Sequence, residues 1–440
     1  MAEVRDPLRS LLERISARAA KVAVVGQGYV GLVVAMRASE AGFPVVGYDI
    51  DRERVKWLRR GESYLEDVTD QELREALDRG YVATDDPADM SGFDVAVISV
   101  PTPLREELPD LGAVETAART VGRALRPGAL VILESTTYPG TTEELLAPVL
   151  TEESGGLVAG RDFLLGYSPE RIDPGNPTHR LENTPKIVSG VDEASRDAVA
   201  AFFGAFVDEV VAVSSPAVAE LSKLIENTFR HVNIALVNEL AMFAAALRVD
   251  VWEAIDAAST KPFGFMPFRP GPGVGGHCLP IDPTYLSWRV KRQLDETFRF
   301  VELANDVNRH MPSHIVSRIQ AILNEAKLAV NGSRIVVLGY SYKPNTADAR
   351  ESPARVIVKQ LSELGADVAI VDPHVRAPTL SNGAHVMADA PDELVAAADL
   401  VVLVTDHDAF DYDRIEGRAG RIFDTRRRFG GLGRGNVTYL

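Results

Sequence analysis

The segment from Lys21 to Asp49 constrains the fold of this chain more than any other. An apolar stretch leads into Gly26-Gln27-Gly28-Tyr29-Val30-Gly31, and a helical pattern and a second apolar stretch then follow up to Asp49. A strand, a glycine-rich turn, a helix and a second strand in this order predict the opening of a Rossmann fold. A glycine motif alone would be weak, but these elements surround it in the required order. We therefore predict a domain that binds a dinucleotide.

The residues of this unit have separate predicted roles. The first glycine permits the tight turn, the second lets a pyrophosphate approach the backbone, and the third allows close helix packing. Asp49 lies where an acidic residue accepts hydrogen bonds from the adenosine ribose, and its charge would repel a 2′-phosphate, which favours NAD over NADP. Asp51 is instead expected to cap the next helix. The predicted cofactor contacts in this segment are Gly26, Gly28, Tyr29, Val30, Gly31 and Asp49.

Length, charge and cysteine content limit the class of protein. A chain of 440 residues is too long for one hydrophobic core, so two or three domains are expected. The net charge of −16 argues against a nucleic acid partner, and no stretch is apolar for long enough to cross a membrane. A single cysteine cannot form an intrachain disulfide, which favours the cytoplasm. Residues 1–20 predict a short amphipathic helix rather than a signal peptide, and no metal site is predicted.

Two further apolar runs, Val95 to Val100 and Leu130 to Glu134, end in polar turns. The first is followed by Pro101 and Thr102, and the second by a turn that contains Thr136. Ligands of open parallel sheets bind at the carboxyl ends of the strands, so both turns are expected to face the nicotinamide half of the cofactor. Thr136 is a predicted contact for water or substrate. Alternatively, its hydroxyl satisfies the backbone of the turn.

The strand from Phe163 to Tyr167 leads to a polar loop with two candidate site residues. Glu170 could act as a base, or it could simply pair with Arg171 beside it. The local sequence leaves both roles open.

A long helix is predicted from Pro216 to about Leu247. Proline is common in the first turn of a helix, and the apolar positions that follow recur at helical spacing. Lys223 and Asn227 are four residues apart, so they project from one face, where they could polarise an oxyanion. The apolar stripe of such a helix can form a dimer interface.

The pattern of the opening recurs beyond about residue 320. A strand from Arg334 to Gly339, a helix from Pro353 to Leu364 and a strand from Asp367 to Val371 predict a second Rossmann-like domain. No second complete glycine fingerprint accompanies them. Lys343 and Arg350 lie in the connecting loop, where their charge could bind phosphate or form surface ion pairs.

Cys278 is the only cysteine, and it lies between Gly275-Gly276 and Asp282. A lone intracellular cysteine is usually a small buried apolar residue. Here the glycines would let a substrate approach the backbone, and Asp282 is a possible base four residues later. A thiol can attack an aldehyde to form a hemithioacetal, whose oxidation by NAD gives a thioester that water cleaves to a carboxylate. The protein could thus oxidise an alcohol to a carboxylic acid.

From Lys21 to about Thr425, the sequence resembles the UDP-glucose/GDP-mannose dehydrogenase family. The resemblance implies an α/β architecture in which two Rossmann-like, doubly wound domains are joined by a central helical domain with a long helix. It also implies NAD as cofactor, a nucleotide sugar as substrate, and four-electron oxidation of the C6 hydroxymethyl group of the hexose to a uronate. The motifs that carry the resemblance are Gly26 to Gly31, Glu134-Ser135-Thr136, Ser168-Pro169-Glu170, Lys223 with Asn227, Gly275 to Asp282, and Tyr342-Lys343-Pro344 through Arg350-Glu351-Ser352-Pro353.

The resemblance further implies roles for individual residues. Cys278 would be the nucleophile, and Lys223 with Asn227 would stabilise an oxyanion. Asp282 would help to activate water, and Arg350 would reach the cofactor from the second Rossmann-like domain. The implied catalytic residues are Cys278, Lys223, Asn227, Asp282, Thr136 and Glu170. The implied substrate contacts are Glu170, Arg171, Lys223, Asn227, Phe268, Gly275 and Lys343.

Four segments are expected on this basis. Residues 1–20 would form the N-terminal extension and residues 21–208 the NAD-binding domain. Residues 209–318 would form a central helical domain for dimerisation and catalysis, and residues 319–440 the domain that binds the sugar nucleotide. The active site would lie between domains, in a cytoplasmic homodimer or a larger homo-oligomer.

Within the family, the sequence is most similar to the UDP-N-acetylglucosamine 6-dehydrogenase branch. The loop around Glu170 and the segment around Cys278 carry this similarity, and Ile281 stands where the UDP-glucose branch generally has a lysine. Arg269 and Arg427 replace an expected aromatic residue and an expected asparagine, so a UDP-glucose or TDP-glucose dehydrogenase remains an alternative. Two others are a single-step dehydrogenase of the 6-phosphogluconate or 3-hydroxyacid type, and a non-catalytic regulator that responds to NAD.

Overall fold

A computed structural model describes residues 7–65, 67–106, 108–173, 176, 178–276, 279–375 and 385–440. The predicted nucleophile Cys278 therefore lies outside the described residues. The chain divides into two compact units, Met1–Glu226 with Thr284–Gln293, and Asn227–Pro283 with Leu294–Leu440. Each unit is built around one large β-sheet.

The first unit contains an eight-stranded sheet and a separate two-stranded hairpin. Its strands are β1 (Val22–Val25), β2 (Val45–Tyr48), β3 (Val82–Thr84), β4 (Val95–Ile98), β5 (Leu104–Arg105), β6 (Leu108–Pro109), β7 (Leu130–Leu133), β8 (Leu164–Tyr167), β9 (Lys186–Gly190) and β10 (Val210–Ala212). The order in the sheet is β10-β9-β8-β7-β4-β1-β2-β3. The strands from β8 to β3 along this order are parallel, whereas β9 runs antiparallel to β8. The predicted Rossmann opening is thus confirmed, with a reversed edge that the sequence did not indicate.

Helices cover this sheet. They are α1 (Pro7–Ser16), α2 (Gly31–Glu40), α3 (Arg52–Arg59), α4 (Asp70–Asp78), α5 (Gly112–Ala124), α6 (Ala147–Glu153) and α7 (Glu193–Phe203), with a 3₁₀ turn at Pro87–Met90 and a π turn at Thr142–Leu146. All four residues of β1, β2, β4 and β7 are buried, as expected of parallel strands with covered faces. Leu11 and Ile15 of α1 lie in the same hydrophobic core as β1. The N-terminal helix is therefore part of this unit.

The predicted long helix is present as α8 (Pro216–Leu247), which contributes residues to both units. It is followed by α9 (Val251–Ser259), α10 (Asp282–Leu294) and α11 (Arg299–Glu325). Large apolar side chains of α8 that stay exposed recur at helical spacing, and we call them the α8 stripe. They are Val218, Leu221, Ile225, Phe229, Leu236, Leu240, Phe243 and Leu247.

The second unit contains a six-stranded parallel sheet. Its strands are β11 (Arg334–Leu338), β12 (Asp367–Val371), β13 (Val386–Met387), β14 (Leu400–Leu403), β15 (Ile422–Asp424) and β16 (Val437–Tyr439), and its remaining helices are α12 (Pro353–Glu363), α13 (Asp392–Ala397) and α14 (Tyr412–Arg418). The order β13-β12-β11-β14-β15-β16 reverses direction at β11, which is the doubly wound arrangement. The predicted second Rossmann-like domain is confirmed, whereas the proposed domain boundaries stay a prediction.

Candidate active site

The glycine-rich turn between β1 and α2 shows which glycines the chain itself requires. Gly26 has a φ of 91°, and a Cβ atom there would lie 2.3 Å from the carbonyl oxygen of Ser99. A Cβ atom at Gly31 would lie 1.9 Å from the carbonyl oxygen of Gly26. By contrast, a Cβ atom at Gly28 would meet no described atom within 4 Å. Packing thus explains Gly26 and Gly31, and the open space at Gly28 fits a pyrophosphate at the N-terminus of α2.

Asp49 follows β2 and is buried at the same edge of the sheet. Its carboxylate accepts hydrogen bonds from the backbone N–H of Gln27 at 2.8 Å and of Asp51 at 2.8 Å, and from the Arg54 guanidinium at 2.9 Å. A carboxylate offers about four acceptor positions, so one more donor, such as a ribose hydroxyl, can be accommodated. These residues therefore fit the adenosine half of NAD.

Two neighbours of Asp49 refine the sequence interpretation. Asp51 caps α3 by accepting from the backbone N–H groups of Glu53 and Arg54, as predicted. The hydrogen bond to Asp49 raises the pKa of Arg54, although burial alone would lower it. Sequence reasoning missed Arg54, although an arginine one turn into the helix after the acidic residue was a usable signal.

The turns after β4 and β7 lie side by side, because these strands are neighbours in the sheet. The Ser135 hydroxyl accepts from the N–H of Val100 at 2.9 Å and donates to its carbonyl oxygen at 2.8 Å, which joins the two turns. Thr102 is buried, Pro101 is exposed and Thr136 is half-buried. Ser135 thus supplies the backbone contact that was the alternative role for Thr136. The two turns are therefore in direct contact, whereas their predicted contact with the nicotinamide stays a prediction.

Glu170 belongs to a buried triad with Glu134 and Lys186. The Lys186 ammonium lies 2.6 Å from Glu134 Oε1 and 2.5 Å from Glu170 Oε2. The other oxygen of Glu170 accepts from the backbone N–H groups of Arg171 and Ile172, each at 2.7 Å. Glu170 therefore pairs with Lys186 and not with the Arg171 side chain, which was one of its two predicted roles. Lys186 was missed because it lies sixteen residues from Glu170 along the chain.

Arg171 has partners of its own. Its guanidinium lies 2.8 Å from a carboxylate oxygen of Glu226 and donates to the carbonyl oxygen of Pro185 at 2.8 Å. These contacts hold the loop after β8 against the loop before β9 and against α8. They account for Arg171 within the first unit.

Burial sets the electrostatics of the triad. It raises the pKa of Glu134 to about 7, with the nearby Glu170 charge adding to the rise and Lys186 opposing it. Burial alone would also raise the pKa of Glu170, but Lys186 and the two backbone N–H groups outweigh it and hold that pKa below its ordinary value. The two carboxylates keep the pKa of Lys186 raised against the effect of burial. The triad thus contains a cation, an anion and a carboxyl group that titrates near neutrality.

Lys223 and Asn227 are buried in α8, one helical turn apart. The Asn227 side-chain amide donates to Asp282 Oδ2 at 2.5 Å. Asp282 is buried and is the first residue of α10, four positions after Cys278. Lys223 forms no ion pair with any residue that the structure describes. A buried lysine residue is suited to stabilise an oxyanion, and a buried contact between an amide and a carboxylate is suited to orient a base.

Residues of the second unit contact the loop that precedes Cys278. The N–H of Gly271 donates to Asn238 Oδ1 at 2.9 Å, and the Phe268 ring packs edge-on against Phe229 at 5.7 Å. A Cβ atom at Gly275 would lie 2.7 Å from the carbonyl oxygen of Glu351. Close backbone packing therefore already explains this glycine, and its predicted contact with the substrate stays a prediction.

The predicted cations of the second unit differ in their surroundings. Lys343 is half-buried, with its ammonium 5.9 Å from the centre of the Tyr342 ring. Arg350 is exposed and forms two parallel hydrogen bonds with Asp348, at 2.9 and 2.7 Å. The surface ion pair considered for Arg350 is therefore present, and its predicted contact with the cofactor stays a prediction.

The two arginines that depart from the expected residues are neutralised locally. Arg269 pairs with Asp256, and Arg427 pairs with Asp250 at 2.7 Å. Asp250 also caps α9, so its pairing with Arg427 joins α9 to the loop after β15. These arginines are therefore explained by contacts within the second unit.

No described helix is long and apolar enough to span a membrane. No group of three or more His, Cys, Asp or Glu side chains in the described part of the chain is arranged to hold a metal ion.

Comparison with known proteins extends over most of the chain. Three models of the UDP-glucose/GDP-mannose dehydrogenase family match in order: the NAD binding domain at residues 20–207, the central domain at 217–310 and the UDP binding domain at 336–430. The UDP-N-acetyl-D-mannosamine dehydrogenase of Pyrococcus horikoshii is 38% identical over 433 residues, which cover 95% of this chain and 100% of that protein. The UDP-N-acetyl-D-glucosamine 6-dehydrogenase of Pseudomonas aeruginosa is 38% identical over 363 residues, which cover 81% and 83%. A solved structure of the UDP-D-ManNAc dehydrogenase from Pyrococcus horikoshii superposes with a TM-score of 0.87 at 36% identity, covering 96% of this chain and 99% of that one.

Proposed function

Because this chain belongs to the UDP-glucose/GDP-mannose dehydrogenase family and is an NAD-dependent nucleotide-sugar dehydrogenase, we propose that it oxidises the C6 hydroxymethyl group of a UDP-N-acetylhexosamine to a carboxylate. The overall reaction consumes the alcohol, two NAD⁺ and one water, and it yields the uronate, two NADH and three protons. NAD supplies the hydride acceptor at its nicotinamide ring. The side chains of this protein would bind and orient the substrate and transfer protons.

Covalent catalysis by Cys278 would link the two oxidation steps. Its thiolate adds to the C6 aldehyde to form a thiohemiacetal, hydride loss converts this to a thioester, and water cleaves the thioester to free the thiolate and the uronate. An ordinary thiol is only a few per cent ionised at neutral pH, so a neighbouring cation would increase the thiolate fraction. Lys223 is the proposed cation, because the residue is buried and its ammonium forms no ion pair with the described residues.

The buried contact between Asn227 and Asp282 is the single observation that carries this proposal. It fixes the residue four positions after Cys278 against the helix that also contains Lys223. In the proposed mechanism, Lys223 and Asn227 stabilise the oxyanion, and Asp282 helps to activate the water that cleaves the thioester. Thr136 would orient that water, and Glu170 would accept a proton.

The proposed cofactor contacts follow the edge of the first sheet. Gly28 leaves open space at the N-terminus of α2, and Asp49 offers its carboxylate to the adenosine ribose. The turns after β4 and β7 would meet the nicotinamide half. The proposed contacts are Gly26, Gly28, Tyr29, Val30, Gly31, Asp49, Pro101, Thr102, Thr136 and Arg350.

The substrate class is supported by the relatives and by charge. Both relatives are named for UDP-N-acetylhexosamines. The extra arginines, Arg269 and Arg427, are neutralised by aspartates and so do not call for a more anionic ligand. We favour UDP-N-acetylglucosamine, with UDP-N-acetylmannosamine as second candidate because that relative matches over its full length. The proposed substrate contacts are Glu170, Arg171, Lys223, Asn227, Phe268, Gly275 and Lys343.

A homodimer formed through the α8 stripe is part of the proposal. Contiguous exposed apolar surface on a helix commonly marks a protein interface. Phe243 and Leu247 are 56% and 74% exposed, which is costly for side chains of this size in water. A second copy of α8 would cover them by symmetry. We also propose that the enzyme is cytoplasmic and that residues 1–20, 21–208, 209–318 and 319–440 are its segments.

The proposed reaction is tested by counting NADH per sugar nucleotide consumed. UDP-N-acetylglucosamine, UDP-N-acetylmannosamine, UDP-glucose and TDP-glucose are offered in parallel to the wild type and to Cys278→Ser. We expect two NADH per molecule of the preferred sugar, and no uronate from Cys278→Ser. One NADH with an active Cys278→Ser variant would contradict the thioester and indicate a single-step dehydrogenase. NAD binding without turnover of any sugar would indicate a regulator.

A further inference from the structure

Lys186 lies beside Glu170 because of the reversed strand at the edge of the first sheet. The antiparallel pairing of β8 with β9 places Tyr167 opposite Ser189. Continuing this register by three residues brings Lys186, the first residue of β9, opposite Glu170. Glu134 directly follows β7, which flanks β8 on the other side. The lysine therefore bridges two carboxylates that emerge from neighbouring strands.

An aromatic ring flanks the triad. The Lys186 ammonium lies 4.9 Å from the centre of the Phe203 ring, which is the surface that α7 presents. The Arg171 guanidinium is directed to Glu226 and Pro185 instead. The side chains of Lys186, Glu134 and Glu170 are 2%, 0% and 9% exposed, so water screens their charges poorly.

The charge of the triad does not balance when both carboxyl groups are ionised. One ammonium and two carboxylates leave a buried net negative charge, which is strongly disfavoured unless a proton neutralises it. Glu134 Oε2 is buried without a hydrogen-bond partner among the described residues, whereas Glu170 accepts two backbone N–H groups besides Lys186. The unsatisfied oxygen marks Glu134 as the carboxyl group that retains the proton.

We propose that Lys186 is a positioning residue for Glu170, and that Glu134 holds the proton of the triad so that Glu170 stays an anion able to accept a proton from the reacting sugar. This inference rests on the proposed function, because it assumes that Glu170 takes part in the reaction. Lys186 fixes both the direction of the Glu170 carboxylate and its ionisation. Glu134 lets the buried site stay neutral while Glu170 remains charged.

The value of kcat should fall at acidic pH, when Glu170 becomes protonated. The proposal predicts how the pH of this acidic limb differs among three variants. In Glu134→Gln the limb stays at or below its wild-type pH, because Lys186 then forms an ion pair with Glu170 alone. In Glu134→Gln/Lys186→Met the limb moves to higher pH, because a buried carboxylate has lost its cation. In Lys186→Met it moves by a similar amount, because Glu170 has likewise lost its cation and the protonated Glu134 adds no charge beside it.

The experiment measures kcat and KM from pH 5 to pH 9 for the wild type and these three variants. We expect Lys186→Met to lose about tenfold or more in kcat at the acidic end relative to the wild type, and less than about threefold at the alkaline end, since a shift of one pKa unit changes the ionised fraction tenfold. Lys56→Met is the matched control, because Lys56 forms an exposed ion pair with Glu53. An equal loss at every pH in both Lys186 variants would show a merely structural role and overturn the proposal.

An infrared titration separates this proposal from the proposed function. The C=O stretch of protonated carboxyl groups is recorded against pH without any substrate. The wild type should lose one such signal near neutrality, and Glu134→Gln should lack it. The double variant should show a protonated carboxyl at a pH where Glu134→Gln shows none, because Glu170 takes up a proton once its cation is removed, which also keeps the buried site neutral. An inactive wild type would contradict the function alone, whereas an unchanged spectrum in Glu134→Gln would overturn the triad.

Discussion

The side-chain amide of Asn227 donates to the carboxylate of Asp282 over 2.5 Å, and both residues are buried. The contact joins the middle of α8 to the first residue of α10. A carboxylate held by a fixed donor keeps one orientation, which is what a base needs in order to direct water at a neighbouring group. The pair therefore connects Asn227, a proposed donor to the oxyanion, with Asp282, which would help to activate the hydrolytic water.

Asn227→Ala should lower kcat by about 10²-fold or more, as expected when an oxyanion donor is removed, with little change in the affinity for NAD. The loss of the contact also leaves Asp282 with one donor fewer. Steady-state kinetics and NADH titration measure the two quantities separately. Asn233→Ala is the matched control, because Asn233 lies on the same helix and its amide donates to the carbonyl oxygen of Phe229 within that helix. Equal losses of kcat in both variants would contradict a specific role for Asn227.

Asp49→Ser should weaken NAD binding by about tenfold and improve the relative affinity for NADP. The substitution removes the acceptor for the ribose hydroxyls and leaves the Arg54 guanidinium, now 2.9 Å from Asp49, able to meet a 2′-phosphate. Fluorescence titration with NADH and NADPH gives both affinities. Asp51→Ser is the control, because serine preserves the cap of α3 two residues away. An unchanged ratio of the two affinities in Asp49→Ser would refute the assignment.

Glu134 should make the protein less stable as the pH rises from about 5 to about 8. Its pKa is higher in the folded chain, at about 7, so the folded state binds an extra proton in this range. The stabilising contribution is complete below the ordinary glutamate pKa and is lost as the pH passes about 7, and it amounts to about 3 kcal/mol at most. Urea unfolding at several pH values should show a flatter pH dependence for Glu134→Gln. The pKa of Glu170 is lowered instead, so its contribution to stability is lost only in acid, as the pH falls below the ordinary glutamate pKa.

Asp372 should have the opposite pH dependence. Burial alone would raise its pKa, but His407 and the backbone N–H groups of the turn after β11 hold it well below its usual range. Its stabilising contribution is therefore present above the ordinary aspartate pKa and is lost as the pH falls. Asp372→Asn should reduce the free energy of unfolding at pH 7 by about 2 kcal/mol, and by less in acid. Asp389→Asn, at an exposed pair with Arg414, should have little effect at either pH.

Phe243→Glu should break the proposed dimer by placing a charge in the α8 stripe. Phe243 is 56% exposed, so the monomer loses little packing when it is replaced. Light scattering coupled to size exclusion should change from dimer to monomer mass. Ile50→Glu, at an apolar residue that is 77% exposed on the first unit, should leave the mass unchanged. A wild type that is monomeric at high concentration would contradict the interface.

Local sequence predicted much of the first sheet and of α8. Gly26, Gly31 and Asp49 occupy the places expected of them, because a tight turn, a close helix and the end of a strand each depend on residues within one supersecondary unit. The bounds of α8 follow from Pro216 and from apolar periodicity, which are also local. The second Rossmann-like domain was predicted without a glycine fingerprint, from the alternation of strands and helices alone.

What the sequence by itself determined is the order of the elements, the dinucleotide fingerprint and the residue types of the candidate site, because these depend on neighbours along the chain. Only the tertiary structure decided that Lys186, and not Arg171, pairs with Glu170, and that Arg350 pairs with Asp348. It also decided that Asp282 meets Asn227 across 55 residues of chain. The physical reason is that strand direction and helix packing bring distant side chains together, and burial then makes each remote charge strong enough to set its neighbour's pKa.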